Sequence, residues 1–474
     1  MTVATLELDD IQGLIPRGYS TLKAAGFLVL AITDPATARP ALAQLSRRVE
    51  NGRSEPSGTA VNLAFTSDGL RQLGLETADL GGFSEEFVSG MTDPNRSRFL
   101  GDVGEDAPQK WRWGGPTTPP VHALALLYAR DPQALDRLEA EVRQDVLARG
   151  LMEVVRLGTT ELTDREPFGF RDGISQPLIE GLPKAKAVRA RGTVGTVGEE
   201  VVKAGEFVLG YPNEYGLLTD RPQCGHNGSY LVFRQLHQDV EAFWNYLDEE
   251  TRRPDGTADP AAREALAARM VGRWPSGAPL VHAPTQDAPG LASDNAFGYF
   301  ATDPDGLSCP LGAHIRRANP RDSLDPRPGS AESIAIGRRH RILRRGRTYG
   351  PVEPVGPVGA SEPGGPGGPG GSGDGSERGL HFLCLNANIS RQFEFVQHTW
   401  LNNPAFNGLY DAPDPVVAPR QNHRATFTEQ ARPLRIRHTG LPQFVSVQGG
   451  AYFFLPGLRA LRSLCTDTRT GEHR

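Results

Sequence analysis

Short, dense apolar runs alternate along the chain with amphipathic stretches, and they do so in a fixed order. Gly26-Phe27-Leu28-Val29-Leu30-Ala31-Ile32 is too short for a buried helix and is closed by Thr33-Asp34-Pro35, which predicts a strand ending in a turn. A helix-like segment follows over about 36–49, and Val61-Asn62-Leu63-Ala64-Phe65 reads as a second strand. Thr66-Ser67-Asp68 offers a capping hydroxyl for a short helix over 69–73. Val121–Tyr128 predicts a third strand, and the segment 132–149 places Leu135, Leu138, Val142 and Val146 at helical spacing. Val154–Leu157 closes the set. Strand–helix–strand, twice over, is the order of a ferredoxin-like α+β sandwich.

The second half repeats this order. Gly228–Arg234 predicts a strand, and Val240, Phe243, Trp244 and Leu247 share one face of the helix that follows. Helical pattern continues through 259–271. A strand over 380–389, a helix around 392–401 and a strand over 449–456 complete the half. The expected fold class is therefore α+β, with two ferredoxin-like domains built on antiparallel sheets: an N-terminal one over 1–185 and a C-terminal one over 205–474. Residues 186–204 read as the connector. Residues 351–379, dominated by Gly, Pro and Ser, cannot bury enough apolar surface to offset their ordering entropy, which predicts a disordered surface loop without chemistry of its own.

Composition narrows the function classes. A formal net charge of -5 argues against a nucleic-acid binder, which would present a basic face. Cys224, Cys309, Cys384 and Cys465 are far apart and form no Cys-x-x-Cys pair, so neither a zinc site nor a disulfide framework is expected. No segment carries enough consecutive apolar residues to span a bilayer, so no membrane partner is expected. The N-terminal stretch has neither a basic n-region nor an apolar h-region. The expected location is the cytoplasm, with export by a cleaved twin-arginine signal left open.

Three segments carry candidate chemistry. Cys309-Pro310-Leu311-Gly312-Ala313-His314-Ile315-Arg316-Arg317-Ala318-Asn319-Pro320-Arg321 sets one histidine before a cluster of arginines. A neutral imidazole is a good iron ligand, and guanidinium groups suit carboxylates such as haem propionates. On general grounds a lone histidine is more often structural. Gly169-Phe170-Arg171-Asp172-Gly173 places an aspartate between glycines that let the backbone approach a flat ligand, although an ordinary Asp-Gly turn has the same signature. Ile342-Leu343-Arg344-Arg345-Gly346 reads as strand-like, which puts its two arginines on opposite faces, so that one can point into a pocket while the other meets solvent, although on general grounds two solvated arginines are the commoner case.

Together these segments closely resemble the dye-decolorising peroxidases. The resemblance also runs through Asp10–Gly13, Asn62–Thr66, Gly205–Tyr211 and Tyr452–Pro456. It implies two ferredoxin-like domains with one haem b held mainly by the C-terminal one, hydrogen peroxide as oxidant, and aromatic donors such as dyes and phenols. By this resemblance His314 is the proximal ligand of the haem iron, Asp172 the distal acid/base and Arg344 the distal arginine. Gly173 and Ile174 would adjoin the haem, and Arg316 and Arg321 would meet its propionates. Some subfamilies have Thr where this chain has Ile174, and Asn where it has Gly346. Glu394 is a candidate acceptor behind His314, with an exposed helix carboxylate as the alternative. Tyr349 is a candidate surface relay for bulky dyes, with an ordinary packed tyrosine in a Tyr-Gly turn as the alternative. A haem-binding or haem-iron-handling protein without peroxidase turnover is the alternative function, and homo-oligomerisation stays open.

Overall fold

The computed structural model describes residues 5–147, 149–190, 200–351, 377–420 and 425–466. Nine strands form its main sheet: β1 (Ala24–Ile32), β2 (Thr59–Phe65), β3 (Ala123–Ala129), β4 (Leu151–Gly158), β5 (Ser229–Gln238), β6 (Leu343–Arg344), β7 (Arg347–Tyr349), β8 (Gly379–Asn386) and β9 (Val445–Leu455). Their spatial order is β4-β1-β3-β2-β9-β5-β8-β6, with β7 also paired to β8, and every pairing is antiparallel. The first half of the sheet thus runs fourth-first-third-second, and the second half does the same when β6 and β7, both paired to β8, are counted as one edge strand. This bears out the α+β class with antiparallel ferredoxin-like halves. The halves share one continuous sheet, joined where Phe65 of β2 meets Phe454 of β9.

Alternation along β1 explains its unbroken apolar run. Leu28 and Leu30 pack with helices α1 (Pro35–Ser46) and α2 (Pro132–Val146), through Leu42, Leu45, Leu138 and Val142. Phe27 and Val29 face the other way, into a second core with Tyr128, Phe233 and Phe453. β1 and β5 stand four strands apart in the sheet, about 19 Å if it were flat. Yet the rings of Phe27 and Phe233 meet edge-on at 5.6 Å, so the sheet curls and closes over this core.

In the second half, Arg234, Leu236 and Gln238 of β5 and Leu380 and Phe382 of β8 look onto a cavity instead of a dry core. Its other walls come from α4 (Pro260–Val271), α5 (His314–Ala318), α6 (Ala331–Arg339), the loop 166–175 and neighbouring chain, while α3 (Val240–Glu250) packs against α4 without lining the cavity. The helix expected around 392–401 is present as two π-helical turns, Ser390–Glu394 and Val396–Leu401. Short helices at Thr77–Leu80, Glu85–Ser89 and Pro94–Leu100, and a hairpin of Thr426–Glu429 with Ile436–Thr439, were not legible in the periodicity. The expected loop over 351–379 lies outside the described residues except at its ends, as do residues 191–199 of the 186–204 connector. Among the described residues no helix is long and apolar enough to cross a membrane.

Candidate active site

The cavity holds about 310 Å³ of free space. His314, the first residue of α5, lines it and is positioned from behind. Its Nδ1 lies 3.0 Å from Oδ2 of the fully buried Asp414. A carboxylate can only accept here, so Nδ1 carries the proton and Nε2 keeps its lone pair. Nε2 has no hydrogen bond among the described residues. The other oxygen of Asp414 accepts the N–H groups of Val416 and Val417, each at 2.9 Å. Burial pushes the His314 imidazole down, but the Asp414 charge and hydrogen bond outweigh it and raise its pKa above the ordinary value. Asp414 is the acceptor that sequence reasoning missed. Glu394 is neither that acceptor nor an exposed carboxylate: it is buried, and it pairs with Arg96 at 3.0 Å and accepts from the Tyr452 hydroxyl at 2.8 Å.

Asp172 and Arg344 come together in the same cavity. Arg344 Nη1 donates to Asp172 Oδ1 at 2.9 Å, and the Gly173 N–H donates to the same oxygen at 2.6 Å. Oδ2 has no hydrogen-bond partner among the described residues. The exposed surface of Asp172 is surface facing the cavity. Burial pushes its carboxyl up, yet the Arg344 charge and the Gly173 N–H hold it below the ordinary value. Gly173 takes a φ of 80° and a Cβ there would meet nothing within 4 Å, so its glycine serves the turn. Ile174 lines the cavity as an apolar surface. Arg345 turns away from the cavity, as alternation requires, but it does not face solvent. Its guanidinium donates to the carbonyls of Leu14 and Ile15, at 2.8 and 2.7 Å, and so anchors the N-terminal arm. A Cβ on Gly346 would stand 2.9 Å from the His381 carbonyl, which leaves no room for a longer side chain there.

The arginines divide sharply. Arg316 is completely buried and does not line the cavity. Its guanidinium donates to Asp303 Oδ2 at 3.0 Å and to the carbonyls of Cys309 and Asp303, at 2.7 and 2.9 Å, over the ring of Tyr299. Short as α5 is, it turns this side chain into the core, so Arg316 is a framework residue and not a propionate partner. Arg321 does line the cavity, stacked on Phe297 at 3.8 Å and bonded to the carbonyls of Asn295 and Phe297. Arg171, Arg273 and Arg341, not singled out in the sequence, line it as well. Burial and mutual repulsion bring Arg273 and Arg341 down to about 10. Arg341 Nε is buried without a hydrogen-bond partner, the Glu200 carboxylate standing 4.0 Å away.

These residues fit a haem. A crowd of buried, self-repelling guanidinium groups favours a ligand that carries carboxylates. Ile174, Ile315, Leu236, Val416, Phe382 and Phe393 supply apolar wall for a flat macrocycle. Among the described residues no group of three or more His, Cys, Asp or Glu is gathered to hold a bare metal ion, whereas an iron already ringed by four nitrogens needs only one histidine. Tyr349 does not line the cavity. Its half-buried ring stacks on His381 at 4.6 Å, and its hydroxyl donates to the carbonyl of Leu236, whose side chain does line it.

No protein-family model matches the chain. Dye-decolorizing peroxidase msp1 of Mycetinis scorodonius is 33% identical over 497 residues, covering 97% of this chain and 88% of that protein. Multifunctional dye peroxidase DyP2 of Amycolatopsis is 30% identical over 496 residues, covering 97% and 96%. The crystal structure of a fungal DyP-type peroxidase from Auricularia auricula-judae superposes with a TM-score of 0.78 at 28% identity, covering 98% of this chain and all of that one. A dye-decolorizing peroxidase solved in complex with 2,6-dimethoxyphenol gives a TM-score of 0.77, also at 28% identity. With curated relatives above 30% identity along nearly its whole length, the chain belongs to the dye-decolorising peroxidases, haem enzymes that use hydrogen peroxide.

Proposed function

We propose that this peroxidase holds one haem b in the cavity with His314 on the iron, and oxidises aromatic donors such as phenols and dyes. Asp172 acts as acid/base and Arg344 as fixed cation. The observation that carries this reading is the Asp172–Arg344 pair, because a haem carrier needs neither a base nor a cation over the cavity. When bound, haem supplies the redox chemistry, taking two oxidising equivalents from peroxide and returning them singly to organic donors.

The chain's own groups handle protons and charge. Against the upward push of burial, the Asp172 carboxyl is held below the ordinary carboxylate range by the Arg344 charge and the Gly173 N–H, so it stays ionised, and able to act as a base, to lower pH than a free aspartate. Its unengaged Oδ2 can take a proton from one peroxide oxygen and give it to the other. Arg344 shares Asp172 Oδ1 and stabilises negative charge on the departing oxygen. His314, made more basic by Asp414, binds iron through Nε2. The 2,6-dimethoxyphenol bound by a related enzyme supports phenols as one donor class. For dyes too large to enter, Tyr349 is the proposed relay, because it links a half-buried ring to the backbone of a cavity residue.

The test is a visible spectrum of wild type beside His314→Ala, followed by peroxide kinetics of Asp172→Asn. Loss or strong alteration of the haem band in the first variant is expected. A fall of about 10²–10⁴-fold in the peroxide rate constant is expected in the second. A haem band unchanged in His314→Ala, or an unchanged rate in Asp172→Asn, would sink the corresponding assignment.

A further inference from the structure

Asp172 is not the only carboxyl group in the cavity wall. Glu166 stands earlier in the same loop and lines the same cavity. Its Oε1 accepts the Phe170 N–H at 2.9 Å, and its Oε2 accepts the Phe168 N–H at 3.0 Å and Gln238 Nε2 at 2.8 Å. Its backbone closes the same turn: the Glu166 N–H donates to Phe170 O at 3.0 Å, and its carbonyl accepts the Gly169 N–H at 2.8 Å. Gly169 takes a φ of 99°, which the reversal requires. Two residues beyond this closed turn, the Asp172 N–H donates to Asp164 O at 2.8 Å. The Glu166 carboxyl is thus the internal brace of the loop that carries Asp172, and Gln238 ties that brace to β5.

We propose that Glu166 is a positioning residue for Asp172, and that its ionisation is what slows the reaction with peroxide on the alkaline side. The inference rests on the reading of Asp172 as the base.

Few charges face Glu166. On its own loop these are Asp164, Arg165, Arg171 and Asp172. Arg165 is turned to the carbonyls of Gly169 and Pro275, and Arg171 to Asp164 and Ser293. β5 contributes the neutral Gln238, and α3 contributes Phe243, packed on Phe168 at 4.5 Å. Among the described residues no cation pairs with the Glu166 carboxyl. Burial pushes it up to about 7 against the pull of its N–H donors, and the Asp172 charge adds to the push. One loop therefore carries two carboxyl groups driven in opposite directions, an arrangement that separates their roles. Below about pH 7 Glu166 is neutral and Asp172 is the charged partner of Arg344. Above it a further negative charge appears on the loop beside Asp172, in a wall that already carries Asp106, a carboxyl pushed by burial to about 6, and Asp102, paired with Arg234. That charge opposes the one that develops on peroxide as Asp172 takes its proton, and it offsets Arg344.

The experiment uses the haem-loaded enzyme. In wild type the second-order rate constant with peroxide is expected to fall as pH rises through about 7, and infrared difference spectra to show a protonated-carboxyl band lost over the same range. In Glu166→Gln both the band and the fall disappear. The rate at about pH 5 drops roughly tenfold, because the amide NH₂ opposes an N–H donor of the loop and displaces Asp172. Gln238→Leu removes one donor to the carboxylate and moves both band and fall to higher pH. The inference is overturned if Glu166→Gln, with a wild-type haem spectrum, keeps the fall. It is equally overturned if wild type shows no carboxyl band titrating near neutrality. Failure of the Asp172 reading looks different: Asp172→Asn would keep the wild-type rate while the Glu166 band persists.

Discussion

Replacing Asp414 with Asn isolates what the carboxylate behind His314 contributes. Asp414 makes three bonds: one to His314 Nδ1 at 3.0 Å, and two from the Val416 and Val417 N–H groups at 2.9 Å. An amide can keep the two backbone bonds only by leaving its oxygen on them and turning its NH₂ to His314. The opposite orientation sets NH₂ against two buried N–H donors, at about 1–3 kcal/mol each, so the first prevails. In the first, the amide donates to Nδ1 and the imidazole proton moves to Nε2, the nitrogen assigned to iron. The fold is therefore expected to survive while iron ligation weakens by about 10- to 100-fold, the usual range for such a partner, or about 1.4–2.8 kcal/mol. Each tenfold loss confined to the ferric state raises the midpoint potential by about 59 mV. Haem transfer to excess apomyoglobin measures the first quantity and spectroelectrochemical titration the second. An Asp414→Asn enzyme that retains haem and potential unchanged would refute the reasoning.

Arg344→Leu is expected to lower the peroxide rate constant by about 10²–10³-fold. Without the guanidinium, Asp172 loses its main downward pull, so the acid limb of the pH–rate profile should also move to higher pH. Arg316→Leu leaves buried Asp303 unpaired and should cost about 3–5 kcal/mol in urea unfolding, while the peroxide kinetics of the folded fraction stay as in wild type. His438 is bonded to Glu429 and Glu250 at 2.7 and 2.8 Å; burial pushes its imidazole down and the two carboxylates more than reverse this. A raised pKa gives stability that is full below about 6.5 and lost as pH rises through the folded-state value. His438→Gln should therefore lower Tm more at about pH 6 than at about pH 9, and equal losses would contradict the assignment. Tyr349→Phe should slow turnover of a bulky dye while leaving the reaction with peroxide intact, and undiminished dye turnover would exclude the relay.

Legibility in the sequence followed burial. β1 could be read because both its faces are buried, which makes every position apolar. β4 spans 151–158, yet only 154–157 stood out, because Met152 faces outward and the charged Glu153 beside it breaks the run. Helices within 77–100 are four to seven residues long, at most about two turns, too short to show a period. His314, Asp172 and Arg344, which the fold gathers in one cavity, were picked out through the resemblance, because each sits in a local motif that carries it, whereas read singly each had an ordinary structural explanation. Asp414 was not. It lies 100 residues from His314, in Pro413-Asp414-Pro415, a coil segment without periodicity, and only the tertiary fold brings the two together. Arg316 and Arg321 looked alike as charges; α5 turns Arg316 into the core, whereas Arg321 lies past the end of α5 at a φ of 56° and lines the cavity, and spacing alone does not carry that.

The position of β9 has a bearing on how the protein is made. It is the last of the nine strands, yet it lies at the middle of the sheet, flanked by β2 and β5. During synthesis the N-terminal half can complete its own four strands, while β5, which forms one wall of the cavity, waits for a partner more than two hundred residues downstream. Until that partner emerges, β2 and β5 each expose an unpaired edge, the surface through which chains mispair with one another. Yield of soluble protein should therefore depend on the rate at which the ribosome delivers the final strand, and on chaperones that cover the two edges until it arrives.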